Sequence, residues 1–347
     1  LQLSRETTPA DATPDETLRR RCAQFAAPIT RQSLSQLLSS FGGFVATCAA
    51  MYLVLDLSVW LALALSPLAA GFLVRIFILQ HDCGHRALFR ARWANDLAGY
   101  ACSLLTLTPY PAWRRQHAGH HGIWNDLDRR QSGADIYSHC LTLEEYGALS
   151  RRQRWLHRVT RHPLVANVLL PPFVFLLLYR FPFDMPASWR LQRRAVLLTN
   201  LALLAAFGGL GLALGFGKVA IVQVPVVVIG AVAGVWLFSV QHRGERVRWS
   251  RHENWDATGA ALESSTYLKL PRLLQWFTGN IGFHHVHHLN PRVPNYRLQE
   301  CHEQVLADRD VPRLSLLGGL RALRFALWDE KNGRMVTFRE ADRRIAA

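Results

Sequence analysis

Three short strings concentrate imidazole in this chain: His81-Asp82-Cys83-Gly84-His85, His117-Ala118-Gly119-His120-His121 and His284-His285-Val286-His287-His288. Residues three and four apart share one face of a helix, so each string can present two or three rings in one direction, as a metal site requires. The HxxxH and HxxHH registers select His81, His85, His117, His120, His121, His284, His287 and His288, and leave His285 out of register. His242, a lone residue, brings the set to nine. One tetrahedral zinc takes at most four ligands. Nine donors therefore suggest two metals with coordination positions left open, although imidazole suits iron, zinc, copper and nickel alike. His139, His157, His162, His252 and His302 read as surface or internally satisfied residues.

Something must carry these strings to one place. Residues 41–79 hold only two charges, Asp56 and Arg75, and residues 195–240 hold only Lys218. A spanning helix needs about 20 apolar residues, so each stretch reads as a hairpin of two spans, at about 41–57, 58–79, 195–214 and 219–240. Residues 97–113 and 163–179 are apolar but short or broken by proline. Such segments lie in the interface or dip partway into it. A lone crossing at 97–113 would put the first two histidine strings on opposite faces, and is rejected.

The chain of 347 residues carries a net charge of +15, and half of it is hydrophobic. Of its 40 Lys and Arg, all but Arg75 and Lys218 fall in 1–40, 81–194 and 241–347. Basic residues collect on the cytoplasmic side of a membrane. Both termini and both large polar regions are thus expected there, and nucleic-acid binding is not needed to explain the charge. The reading is an all-α integral membrane protein: four transmembrane helices in two hairpins, under a cytoplasmic helical cap (81–194 and 241–347) that holds a histidine-ligated dinuclear metal site. Residues 1–40 form a polar tail and lead-in helix, and 41–347 one domain. Residues 1–20 show no signal-peptide pattern and read as a mobile tail. Six cysteines without a paired spacing fit a reducing compartment.

Further strings accompany the histidines: Leu-Thr-Leu-Thr-Pro-Tyr at 105–110, Trp113-Arg114-Arg115, Asn125, Leu127-Asp128-Arg129-Arg130, Trp236-Leu237-Phe238 before Gln241-His242, Gly279-Asn280-Ile281-Gly282, and Pro291–Tyr296. Together they resemble the membrane fatty acid desaturase family, specifically its bacterial and plastid-type omega-6 (delta-12) branch, over about residues 70–300. One departure is Arg243-Gly244-Glu245, where that branch commonly follows Gln-His with an aromatic residue and Glu. The resemblance implies a di-iron centre ligated mainly by histidine, His242 included, with O2 as co-substrate and a cis double bond as product.

Acidic side chains near such a centre should orient the rings and offset metal charge; Asp82, Asp128 and Glu245 are candidates. Trp113, Trp124, Trp236 and Trp276 lie near the histidines in sequence and are candidates to line an apolar substrate pocket, or to sit at the interface. Arg114, Arg115, Arg129 and Arg130 could meet an anionic head group or a donor protein, or be solvated. No haem, ferredoxin or dinucleotide motif is present, so electrons are expected from an external ferredoxin or cytochrome b5-like donor. The substrate is expected to be a fatty acyl lipid or acyl thioester. A hydroxylase, acetylenase or conjugase on the same scaffold is the nearest alternative. A membrane metal transporter would place ionisable residues within the spans, which these histidines avoid. A zinc protease fails because Asp256 and Leu306 stand where a second histidine is required.

Overall fold

A computed structural model describes residues 14–130 and 140–346. Most of the expected tail, and His139, lie outside the described residues. Among these, four helices are long and apolar enough to cross a membrane: Thr30–Leu55, Val59–Gly84, Arg190–Leu214 and Phe216–Gln241. They form two hairpins, and the Lys218 ammonium meets the Asp56 carboxylate at 2.6 Å to tie the two turns together. The histidine strings gather at the opposite end of the spans. Large apolar residues such as Leu38, Leu53, Leu204 and Leu212 point outward and are exposed, as a lipid-facing surface requires.

The second span is the hub, packed against the first and fourth spans and the helix Arg92–Thr106. Ala62, Ala69 and Ala70 are buried along it, and small residues let neighbouring backbones approach. Gly43 on the first span accepts the Phe72 ring, which would lie 2.2 Å from any added Cβ.

Apolar runs mark the part of a helix inside lipid, but backbone hydrogen bonds carry it further. The first spanning helix thus begins at Thr30, and its polar extension reaches the cap. There the Ser33 hydroxyl donates to the Leu88 carbonyl at 2.6 Å, and the Gln36 amide donates to Asn295 at 2.9 Å. The second span runs on to Gly84, so the first histidine string rides its last turn.

The segment 97–113 divides into helices Arg92–Thr106 and Tyr110–Ile123, broken at Leu107, whose φ is +57°. The former buries Asn95, Ala98, Cys102 and Thr106 and exposes Trp93, Leu97, Tyr100 and Leu104 along one stripe. This is the pattern of a helix lying in the interface. Residues 165–180 follow helix Arg151–Arg161 at an angle of 49°.

Among the described residues, the cap contains five short strands in addition to its helices. Strands β1 (Leu141–Thr142), β4 (Phe325–Asp329) and β5 (Arg334–Thr337) form one sheet in the order β1-β4-β5; β2 (Tyr267–Lys269) pairs in parallel with β3 (Arg313–Ser315). A second apolar cluster packs the lead-in helix Pro14–Ala23 against the third histidine string through Leu18, Cys22, Val286, Leu289 and Cys301. All six cysteines are free and buried.

Candidate metal centre

Each histidine string owes its place to a local feature. His81 and His85 sit where the second span ends, and His242 terminates the fourth. Helix Tyr110–Ile123, begun by Pro109 and Pro111, carries His117, His120 and His121. The third string needs a sharper device. Gly279 (φ +51°) and Asn280 (φ +56°) turn the chain through the left-handed region. Gly282 then passes so close to strand β2 that an added Cβ would stand 2.4 Å from the Leu268 carbonyl oxygen. The Leu268 amide donates to the Gly282 carbonyl at 2.8 Å, which presses helix His284–Leu289 under the centre.

All nine rings converge, in two groups. His81, His85, His117, His121 and His287 form one; His120, His242, His284 and His288 form the other, and within each group the ligand atoms lie within 4.8 Å of one another. The split follows from helical rotation. His117 and His121, four apart, face one group, while His120 is turned about 100° from its neighbour and faces the second. His284 and His288 face the second group, and His287 the first. Two strings thereby bridge both groups.

The nitrogen separations test whether metals fit. Nε2 atoms approach at 3.2 Å for His117–His121, 3.0 Å for His121–His287, 2.8 Å for His242–His284, 3.0 Å for His284–His288 and 3.2 Å for His120–His242. With metal–nitrogen bonds of about 2.1 Å, ligands at right angles stand about 3.0 Å apart and tetrahedral ones about 3.4 Å. The observed spacing matches the right-angled case. Nitrogens this close cannot all be satisfied by one another's hydrogens. In addition, the buried Nε2 of His85 has no hydrogen-bond partner among the described residues.

Burial, and then the neighbouring rings, hold His85, His117, His121, His242, His284, His287 and His288 well below the ordinary imidazole pKa. They are therefore neutral, the form that binds metal. Among the described residues, no carboxylate belongs to either group.

The candidate acidic residues separate. Asp82 is buried, with Oδ1 3.6 Å from His81 Nδ1. Its Oδ2 accepts from the backbone and side-chain nitrogens of Asn295, each at 2.8 Å, which ties the first string to the loop after the third. Asp128 and Glu245 require correction. Asp128 accepts from Arg251 and the His252 amide, and Glu245 pairs with Arg334; all three are surface-side partners, and neither carboxylate touches a clustered ring. Closeness in sequence misled because the chain turns outward within a few residues of His121 and His242.

The tryptophans divide in the same way. Trp113 stacks on His117 with centroids 4.8 Å apart and planes 13° from parallel. It also lines a cavity of about 180 Å³ that runs from His81, His117, His120 and His284 down between the second and fourth spans. Trp124 packs on His120 but does not line that cavity. Trp236 belongs to a separate apolar cluster with Leu268 and Leu323, and Trp276 lies under the Arg75 guanidinium at 4.0 Å. The pocket reading is thus corrected for these three. The cavity wall is instead made by residues such as Leu73, Phe77, Phe175, Tyr179, Val227 and Gly234. Small residues recurring at Gly230 and Gly234 on the fourth span were the available signal for it.

Three other histidines find partners away from the centre. His252 Nδ1 meets Asp126 at 2.7 Å, and His285 Nε2 meets His302 Nδ1 at 2.9 Å in the apolar cluster under the third string. His285→Ala should therefore keep the metal content and turnover of the parent. It should lower stability by about 1–3 kcal/mol through a cavity and an unpartnered His302, visible as a lower thermal midpoint in detergent. Loss of metal from this variant would place His285 among the ligands.

A profile of the fatty acid desaturase family matches residues 58–315. A fatty acid desaturase of Bacillus subtilis (strain 168) is 44% identical over 322 residues, which cover 93% of this chain and 90% of that protein. An sn-1 oleoyl-lipid 12-desaturase of Picosynechococcus is 24% identical, over 75% of this chain and 74% of its own. An sn-1 acyl-lipid omega-3 desaturase (ferredoxin) of Synechocystis is 28% identical, over 66% and 63% respectively.

Proposed function

The chain belongs to the fatty acid desaturase family of membrane oxidoreductases, and from that premise we propose that it is an O2-dependent di-iron enzyme that places a cis double bond in a fatty acyl chain. The observation that carries this reading is the pair of histidine groups at the head of an apolar cavity between two spans. Right-angled nitrogen spacing and a five-donor group favour iron over tetrahedral zinc. His81, His85, His117, His121 and His287 would hold one ion, and His120, His242, His284 and His288 the other. When bound, the irons would supply the dioxygen chemistry needed to remove hydrogen from an unactivated methylene, which no side chain can do.

The protein's own share is placement. Trp113, stacked on His117, forms a flat wall beside the rings. Leu73, Val74, Gly230, Ala231 and Gly234 shape a slot for the chain, and its far end at Val227 lies about 22 Å along the fourth span from His242. Phe77, Phe175 and Tyr179 close the side and exclude water, which keeps a reactive centre from side reactions. The 12-desaturase relatives and the omega-6-type strings support a delta-12-like position. The ferredoxin named for the Synechocystis relative supports an external iron–sulfur donor. The distribution of Lys and Arg supports a cytoplasmic centre, and the bacterial relatives support an inner membrane of a bacterium.

The test is expression in a host lacking desaturases, followed by gas chromatography–mass spectrometry of its lipids. New cis-monounsaturated or di-unsaturated chains that disappear under anaerobic growth are expected. Hydroxylated chains in their place would overturn the desaturase outcome.

A further inference from the structure

The cavity wall contributed by residues 163–180 is one segment thick, and its two sides differ. Phe175 and Tyr179 face the cavity, while Leu164, Val168, Leu169, Phe173, Leu176 and Leu177 are exposed. An exposed apolar face at this level of a spanning protein meets lipid tails, so on this side the segment stands between the cavity and the bilayer.

Its backbone is interrupted repeatedly. Helix Arg151–Arg161 ends at His162-Pro163, a π-turn occupies Val165–Leu169, Pro171-Pro172 follow, and Leu177 (φ −120°, ψ −56°) leaves the helical region before a final turn at Leu178–Arg180. Such turns and prolines weaken the hydrogen-bond ladder that would make a straight span rigid. Both ends are nevertheless tied. Arg154 donates to the carbonyls of Leu149 and Gly147, and Arg158 pairs with Asp342. At the other end Arg180 donates to Asn200 at 3.0 Å, and Asn200 returns a bond to the Arg180 carbonyl at 2.7 Å. The result is a strap, fixed at its ends and jointed between.

The cavity it borders, about 180 Å³ and partly open, is smaller than the ~300–1,000 Å³ of pockets that hold drug-sized ligands. A long acyl chain therefore needs a wall to yield, and the strap is the jointed one. Its leading helix, Arg151–Arg161, carries five arginines and no acid. Arg151, Arg152, Trp155, Leu156 and Val159 are exposed on it, the composition of a helix lying on an anionic lipid surface.

Building on the desaturase reading, we propose that residues 163–180 form a lateral gate through which the acyl chain of a bilayer glycerophospholipid enters the cavity directly from the cytoplasmic leaflet. The head group stays at the interface, where Arg151 and Arg152 attract anionic lipid. A water-soluble acyl thioester would have no reason to cross this apolar face.

The test tethers the gate. Phe77 and Phe175 face each other across the cavity side of the strap with ring centroids 6.3 Å apart. The Phe77→Cys, Phe175→Cys protein is reconstituted into phosphatidylcholine–phosphatidylglycerol vesicles containing a phospholipid with a mid-chain diazirine. It is photolysed before tethering with a short cleavable bis-maleimide, after tethering, and after cleavage. Labelling of the peptides that carry Leu73, Val227 and Gly234 is expected before tethering, lost on tethering and regained on cleavage. Undiminished cavity labelling in the tethered protein would overturn the gate. So would tether-independent labelling by a diazirine acyl thioester added from water. Labelling needs no turnover, so a gated cavity in a protein that forms no double bond would sink the desaturase reading and leave the gate standing.

Discussion

Alanine at His120 or at His85 is expected to abolish oxygen-dependent double-bond formation, with residual activity at least ~100-fold below the parent. Losing groups that merely orient a metal ligand already costs ~10–100-fold, and these residues are proposed as ligands themselves. The two substitutions should differ in metal content. His120 is one of four donors in its group, whereas His85 is one of five. His120→Ala should accordingly release the iron of the second group more completely than His85→Ala releases that of the first. Iron analysis beside product analysis on the same preparations checks both statements. His285→Ala is the control, since its ring shares the third string but turns to His302. Full turnover in His120→Ala would remove the basis of the two-group assignment.

The second large effect concerns chain length. Gly234 lines the cavity, and a Cβ added there meets nothing within 4 Å. A leucine at this position therefore projects into space that the acyl chain is proposed to use, about 12 Å along the helix from His242. A misfit of one methylene costs ~10–200-fold in discrimination, and a leucine side chain displaces several. Gly234→Leu should reduce desaturation of long chains at least ~100-fold while sparing shorter ones, so the host's products shift toward shorter unsaturated chains with iron content unchanged. The neighbouring Gly230 is a poorer site for this test, because its added Cβ would press on Leu73 at 3.1 Å. An unaltered chain-length profile in Gly234→Leu would mean that the chain runs elsewhere.

The two histidine groups are more legible in the sequence than their surroundings. Histidines at intervals of three and four advertise a shared helical face, and apolar runs flanked by Lys and Arg advertise spans. What those patterns omit is the third dimension beyond one helix. That His117 and His121 part company with His120 follows from helical rotation, but which group each joins depends on how distant helices dock. Asp128 and Glu245 lie close to the histidines in sequence, yet their partners Arg251 and Arg334 lie on the outer side of the cap. Phe175, Tyr179 and Gly234 went unmarked because an apolar residue within an apolar segment carries no chemical label. Only packing shows which side faces the cavity. The β4–β5 hairpin is illegible for a related reason: its strands are short, and they pair within a largely helical cap.

Quantifying iron per chain in purified, catalytically active protein tests the account most directly. Two irons per chain are expected, with activity rising in proportion as both groups fill. An active enzyme holding a single metal ion per chain would contradict it.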